Sequence, residues 1–271
     1  MKHLIRIFLI LLCLLTLLTG AVAEPLRGYD PKAGYQYVTL GRYPQSVDGG
    51  SPGNPADAWK WKGSVIEDPS VLELTPDPIL WRILSADEER IWIQSEYILL
   101  AMPIHLDYAE YKSFRGDFLQ TELCAFLNGD FLSEAFTPEE AEMLLPADGS
   151  CRLFVLSSDD LKNKKIGFTG NAARKAWATE YAVRVTGAFV YKQAEKCCSP
   201  YWTSTPSTSA QAAGRAARCT KQDGSVGYYN TSNPEEGVRP SGYLAPDSFS
   251  VSGGTGTKED PFILIPVSAD P

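Results

Sequence analysis

The chain reads as an α+β protein, and three observations say so. Two β-former runs, Ile79 to Leu84 and Arg90 to Ser95, flank the polar stretch Ser85-Ala86-Asp87-Glu88-Glu89, which is the grammar of a hairpin. Asp117 to Leu132 changes period, with Leu119, Leu123, Phe126, Leu127 and Phe131 recurring at three- and four-residue steps. From Cys197 to the end the texture is short strands and turns, with no long helical pattern.

Taken in order, Met1 to Ala23 reads as a secretory leader. Lys2, His3 and Arg6 supply a positive start, Phe8 to Leu18 an apolar run, and Ala21-Val22-Ala23 a small-x-small cleavage signal. The apolar run is short of the roughly 20 residues that span a bilayer, so cleavage is expected rather than anchoring. Cys13 sits inside that run, the wrong place for a lipid attachment. Residues 24–34 form a polar lead-in, and residues 35–266 read as one domain with a short tail, 267–271. Tyr35 to Leu40 alternates like a strand and ends in Gly41-Arg42-Tyr43-Pro44-Gln45; Ser46 to Asp57 is loop.

In the middle, Asn128-Gly129 ends or distorts the periodic helix. Thr137-Pro138-Glu139-Glu140 has the makings of a capping box, with Thr137 as cap, Pro138 at the first helical position and Glu140 placed to reach back. Leu153 to Leu156 is a short buried strand. Asn171 to Arg184 reads as helix, with Ala173, Trp177 and Tyr181 on one side. Phe262 to Ile265 closes the chain as a strand.

Composition excludes several function classes. The chain carries 33 acidic against 25 basic residues, a net charge of −8, and loss of Lys2 and Arg6 with the leader makes it more acidic still. That balance opposes binding to nucleic acid or to anionic lipid. Beyond the leader, His105 is the sole histidine, so a multi-histidine zinc site is ruled out and any Ser-His or Cys-His pair would have to use it. No CxxC, HExxH, P-loop or dinucleotide motif is present, and no cofactor is expected. Gly253-Gly254-Thr255-Gly256-Thr257-Lys258 lacks P-loop spacing and reads as a turn. Asp159-Asp160 suits a helix cap, with a calcium role as the rival.

The exported chain keeps Cys124, Cys151, Cys197, Cys198 and Cys219, an odd number. The vicinal pair is better suited to give one partner to Cys219 than to bridge to itself, and Cys198 with Cys219 is the pairing carried forward. Cys124 with Cys151 is a second pairing open to the chain.

Candidate ligand residues cluster near the C-terminus. Tyr201 and Trp202 offer a stacking platform for a sugar or peptide, against the rival reading of a core strand. Ser204 lies in the polar loop Thr203 to Ser209, where a binding surface fits. Arg239, in Gly237-Val238-Arg239-Pro240, either grips a carboxylate ligand or forms an internal ion pair.

The ordered run of Gly41-Arg42-Tyr43-Pro44-Gln45, Ile79-Leu80-Trp81-Arg82-Ile83-Leu84, Phe126-Leu127-Asn128-Gly129-Asp130-Phe131, Leu153-Phe154-Val155-Leu156-Ser157, Tyr201-Trp202 and Gly237-Val238-Arg239-Pro240 resembles a bacterial secreted domain family of unknown function. That family looks related to the formylglycine-generating enzyme (sulfatase-modifying factor) superfamily, and the resemblance implies a C-type-lectin-like fold. It assigns no activity. The enzyme relatives use two cysteines close together before a Gly-x-Arg strand. Here Cys219 occupies a comparable place, but the residue five positions earlier is Gly214, so a copper-thiolate site lacks its second ligand. The resulting expectation is a secreted, non-enzymatic binding module for a glycan, cell-wall or protein ligand. The rivals are a formylglycine-generating-type thiol enzyme using Cys219, and a structural or partner-docking domain.

Overall fold

The computed structural model describes residues 26–47, 55–105, 117–191, 198–207, 216–219 and 223–267, with the backbone alone at 55–57 and 216–219. The leader, Cys13, Cys197 and the end of the tail therefore lie outside the described residues. No helix among those described is long and apolar enough to cross a membrane.

The architecture is mixed α and β, mostly sheet with a few short helices. The largest sheet has the order β12-β13-β1-β2-β3-β11-β5. Its strands are β1 (Tyr37–Pro44), β2 (Pro76–Ala86), β3 (Ile91–Ser95), β5 (Leu144–Leu145), β11 (Ser241–Leu244), β12 (Phe249–Gly253) and β13 (Phe262–Pro266), and β6 (Leu153–Phe154) also pairs with β11. β1 and β13 run parallel, with Val38 opposite Phe262; the other pairs are antiparallel. Two smaller sheets complete the set. One joins β4 (Leu100–Ala101) to β10 (Gly237–Val238); the other orders β7 (Trp202–Pro206), β8 (Ala216–Cys219) and β9 (Val226–Tyr229).

The expected hairpin is present as β2 and β3, with Trp81 opposite Ser95. Alternation along a strand sends neighbours to opposite faces. Val38, Leu40, Trp81, Ile83, Ile91 and Ile93 join one core with Leu123, Leu127, Phe131 and Phe136 from the helices. Leu84, with Trp92 packed alongside, belongs to a second core with Ile98, Leu161, Phe168, Val183 and Tyr201. The central strands are thus covered on both sides. The Trp81 indole N–H donates to Leu40 O at 2.8 Å, so its one polar group is satisfied where it is buried.

The periodic helix is broken as its glycine suggests. A 3-10 turn at Phe118–Gln120 leads into α1 (Glu122–Asn128) and α2 (Asp130–Ala135), and Gly129 between them leaves helical geometry with φ −113 and ψ −98. In α3 (Pro138–Glu142) the capping box forms in both directions: Glu140 N–H donates to Thr137 Oγ1, and Thr137 N–H donates to the Glu140 carboxylate.

The helix expected over Asn171 to Arg184 is corrected. Only a 3-10 turn at Asn171–Arg174 and α4 (Glu180–Arg184) form. Between them the chain is extended, because Ala178 bridges to Ile98 and Ala176 to Ser199. Those two isolated non-local bridges hold backbone groups that a continuous helix would have used. Thr179 then caps α4, accepting from Ala182 N–H at 3.1 Å.

Gly237 is a point of close approach between β10 and the segments that carry Ile98 and Pro200. A Cβ there would lie 2.6 Å from Ile98 Cγ2 and 2.8 Å from Pro200 O. Gly237→Ala is therefore expected to destabilise the fold by about 1–3 kcal/mol through overpacking against backbone that cannot yield. Urea unfolding with an unchanged m-value and a lowered midpoint is the expected result, whereas an unmoved midpoint would show that the contact relaxes freely.

Candidate functional site

Of the expected site residues, Trp202 and Ser204 lie on β7 and Tyr201 directly before it, and the structure separates them into a buried base and a half-buried rim. Tyr201 and Trp202 belong to the base. Both are 1% exposed. The Trp202 indole N–H donates to Met102 O at 2.7 Å, and the Tyr201 hydroxyl donates to Arg174 O at 2.9 Å. Neither ring offers a stacking face to a ligand. Their polar ends are absorbed by main-chain carbonyls and their faces by core, which corrects the platform expectation.

Arg239 is fully enclosed as well, at 0% exposure. Its Nε donates to Ser95 O at 2.7 Å, and its Nη2 lies 4.0 Å from Glu96 Oε2. Its guanidinium stands over the Tyr201 ring with 5.6 Å to the centroid. The internal ion-pair reading of Arg239 describes these contacts, and no path leads from it to an outside carboxylate.

Glu96 organises this buried charge. Arg82 reaches Glu96 Oε2 through Nε at 2.6 Å and through Nη2, while Lys258 donates to Oε1 at 2.9 Å. The Lys258 ammonium also lies over the Tyr97 ring, and the Arg82 guanidinium over Tyr35. Three cations thus surround one buried carboxylate, and aromatic faces carry part of the surplus. Burial alone would raise the Glu96 carboxyl, but Arg82, Arg239 and Lys258 together hold it below the ordinary glutamate range. Burial also pushes the Arg239 guanidinium down, reinforced by Arg82 nearby. The turn read from Gly253 to Lys258 delivers the third cation: Gly254 and Gly256 both take positive φ, and Tyr37 N–H donates to Gly256 O at 2.9 Å.

The rim of β7 is different. Ser204 donates its N–H to Leu156 O at 3.1 Å and lines a cleft of about 290 Å³. Its other walls include Arg90, Asp117, Cys151, Phe154 and Tyr243. Tyr243 is sandwiched there, with the Phe154 ring 5.2 Å and the Trp92 ring 5.5 Å away and the Arg90 guanidinium 4.5 Å from its centroid. Burial raises the Tyr243 hydroxyl above its ordinary value.

Thr205, Pro206 and Ser207 line a second cleft of about 440 Å³ with Ser158, Asp159, Lys162, Gly227 and Tyr228. Thr205 Oγ1 accepts from Ser158 N–H at 2.8 Å, which ties the strand to the loop that carries Asp159 and Lys162. That loop is held from within. The Asp160 carboxylate accepts from Ser157 N–H at 2.8 Å and from Ser157 Oγ at 2.7 Å, a local turn that leaves Asp159 outside. Asp159 and Lys162 form an exposed pair at 2.9 Å. Tyr228 and its neighbour Tyr229 are 44% and 46% exposed.

The remaining candidates fall elsewhere. His105 is buried, with its backbone N–H on Thr231 O at 3.2 Å. Cys198 is buried, and the side chain of Cys219 is outside the described residues, as is any pairing through it. The residues that sequence reasoning passed over are Lys162 and Tyr228. Only the pairing of β8 with β9 brings Tyr228 up beside β7. Among the described residues no group of acidic, histidine and cysteine side chains is arranged to hold a metal ion. Comparisons with protein-family models, with curated proteins and with solved structures find no match to this chain.

Because the Glu96 carboxyl is depressed in the folded state, its contribution is full above the ordinary glutamate pKa and falls away as the pH drops through the folded value. Glu96→Gln is expected to cost about 3–5 kcal/mol at neutral pH, since three cations lose their counter-charge. It is also expected to flatten the acid limb of a stability-against-pH curve. An acid limb as steep as that of the parent would place the responsible carboxylate elsewhere.

Proposed function

We propose that the protein is a secreted, non-enzymatic module that binds a glycan, on a scaffold like that of the C-type-lectin fold. The observation that carries this reading is the second cleft beside β7. It combines a half-exposed tyrosine ring, Tyr228, with the hydroxyls of Ser158 and Ser207 and the charged pair Asp159–Lys162. A sugar ring offers an apolar face to an aromatic side chain and a rim of hydroxyls to polar neighbours, and this cleft provides both kinds of surface. The acidic net charge favours a neutral or basic partner over nucleic acid. The export expectation from Met1 to Ala23 supplies the setting in which such a ligand is met.

The division of β7 supports the same reading. Tyr201 and Trp202 anchor the strand in the core, so the half-buried residues from Ser204 to Ser207 are presented on a fixed base. Ligand contact is thereby assigned to the rim, and Tyr201, Trp202 and Arg239 become supports.

The test uses the full chain on an array of soluble oligosaccharides and cell-wall fragments, followed by titration calorimetry on any ligand captured. Tyr228→Ala is expected to weaken binding about tenfold or more, equivalent to about 1.4 kcal/mol, and Lys162→Ala to weaken it less. As a half-exposed residue, Tyr228 is expected to change stability by no more than about 0.5 kcal/mol when truncated. No capture across the array, or full affinity in Tyr228→Ala, would overturn the assignment.

A further inference from the structure

We propose that Cys124 and Cys151 form a disulfide that fastens α1 to the loop before β6, along the wall of the cleft that Ser204 lines. The two Sγ atoms stand 2.7 Å apart, across 27 positions of sequence. That is inside the about 3.5–4.0 Å at which even carbon atoms rest in van der Waals contact. A small rotation of either side chain closes it to a bond of about 2.05 Å.

The backbone on both sides is already fixed for the bond. Asn128, one turn beyond Cys124 in α1, spends its whole side-chain amide on the facing segment and its own helix. Its Oδ1 accepts from Arg152 N–H at 2.7 Å and Leu153 N–H at 2.9 Å. Its Nδ2 donates to Leu153 O at 2.8 Å and to Cys124 O at 2.9 Å. These bonds hold the segment that follows Cys151 against the helix that carries Cys124. The disulfide would thus join two elements that these hydrogen bonds already hold together.

The two sulfurs are not equivalent. Cys124 is buried, and burial together with the neighbouring Cys151 pushes its thiol up to about 12. Cys151 is partly exposed and lines the cleft. The accessible sulfur is thus the one that meets a donor disulfide such as oxidised glutathione. Cys151 gives its proton to solvent and its thiolate attacks one donor sulfur; the donor S–S bond breaks and one donor thiolate leaves. Cys124 then gives up its proton and attacks Cys151 Sγ; the mixed disulfide breaks and the second donor thiolate leaves. Two protein thiols have lost two electrons and two protons, and one donor disulfide has become two thiols.

The experiment is peptide mapping of the full chain after equilibration with oxidised glutathione and alkylation in denaturant without reductant. A Cys124–Cys151 linked peptide is expected, lighter than the separate peptides by two hydrogen atoms and absent after reduction. In Cys124→Ala, the resolving thiol is gone, so glutathione is expected to accumulate on Cys151. Linking is also expected to raise the melting temperature of the oxidised over the reduced chain by about 10 °C, given the closed loop and the size of the protein. Separate alkylation of both cysteines, or a link from either of them to Cys198 or Cys219, overturns the proposal. Because no ligand enters these measurements, their outcome is independent of the glycan-binding reading.

Discussion

Glu96 is the point on which distant parts of the chain converge. It lies just beyond β3 and draws Arg82 from β2, Arg239 from the link between β10 and β11, and Lys258 from the turn before β13. A lone carboxylate in a buried setting carries a heavy desolvation cost, and so does each guanidinium. Pairing offsets part of that cost, and the cluster ties the segments that carry Arg239 and Lys258 to the central hairpin. The surplus of positive charge is spread over Tyr35, Tyr97 and Tyr201, which explains why tyrosines crowd this end of the sheet.

From that base the two clefts follow by alternation. A strand cannot present Ser204 and Thr205 to the same side, and the structure uses both sides of β7. The first cleft is walled by stacked aromatics capped by Arg90, whereas the second, about 440 Å³ against about 290 Å³, is bordered by Tyr228 and the Asp159–Lys162 pair. Stacked rings with a guanidinium over them stabilise the first wall in their own right, whereas the Tyr228 ring at the second cleft is 44% exposed.

Much of the frame is legible from local rules. The capping box at Thr137 and Glu140, the hairpin around Asp87 and the glycine turn before Phe262 each depend on residues within a few positions, and each forms where those rules place it. What fails is what local rules cannot see. The segment between Arg174 and Glu180 has helical periodicity but is claimed by Ile98 and Ser199, far away in sequence. Trp202 and Arg239 are residue types common both at binding sites and in cores, and only the packing around them separates the two roles. Asn128 looks like a helix terminator, yet its amide takes the place of a strand partner for Leu153. Tyr228 had no signal of its own, since its setting is made by β7 and β8 together.

The parallel pairing of β1 with β13 carries a kinetic consequence. Thr39 and Phe262 are 223 positions apart, and their strands are direct neighbours in the main sheet. Closing so long a loop is entropically slow, and contacts of this separation lower folding rates. The edge of β1 that receives β13 stays open until the last strand has been made, however early the central hairpin forms. A chain emerging from a ribosome would therefore pass most of its length with an unpaired, apolar strand edge on display, a state prone to aggregation. For a protein built this way, the central hairpin forms from near neighbours while closure of the sheet waits for β13.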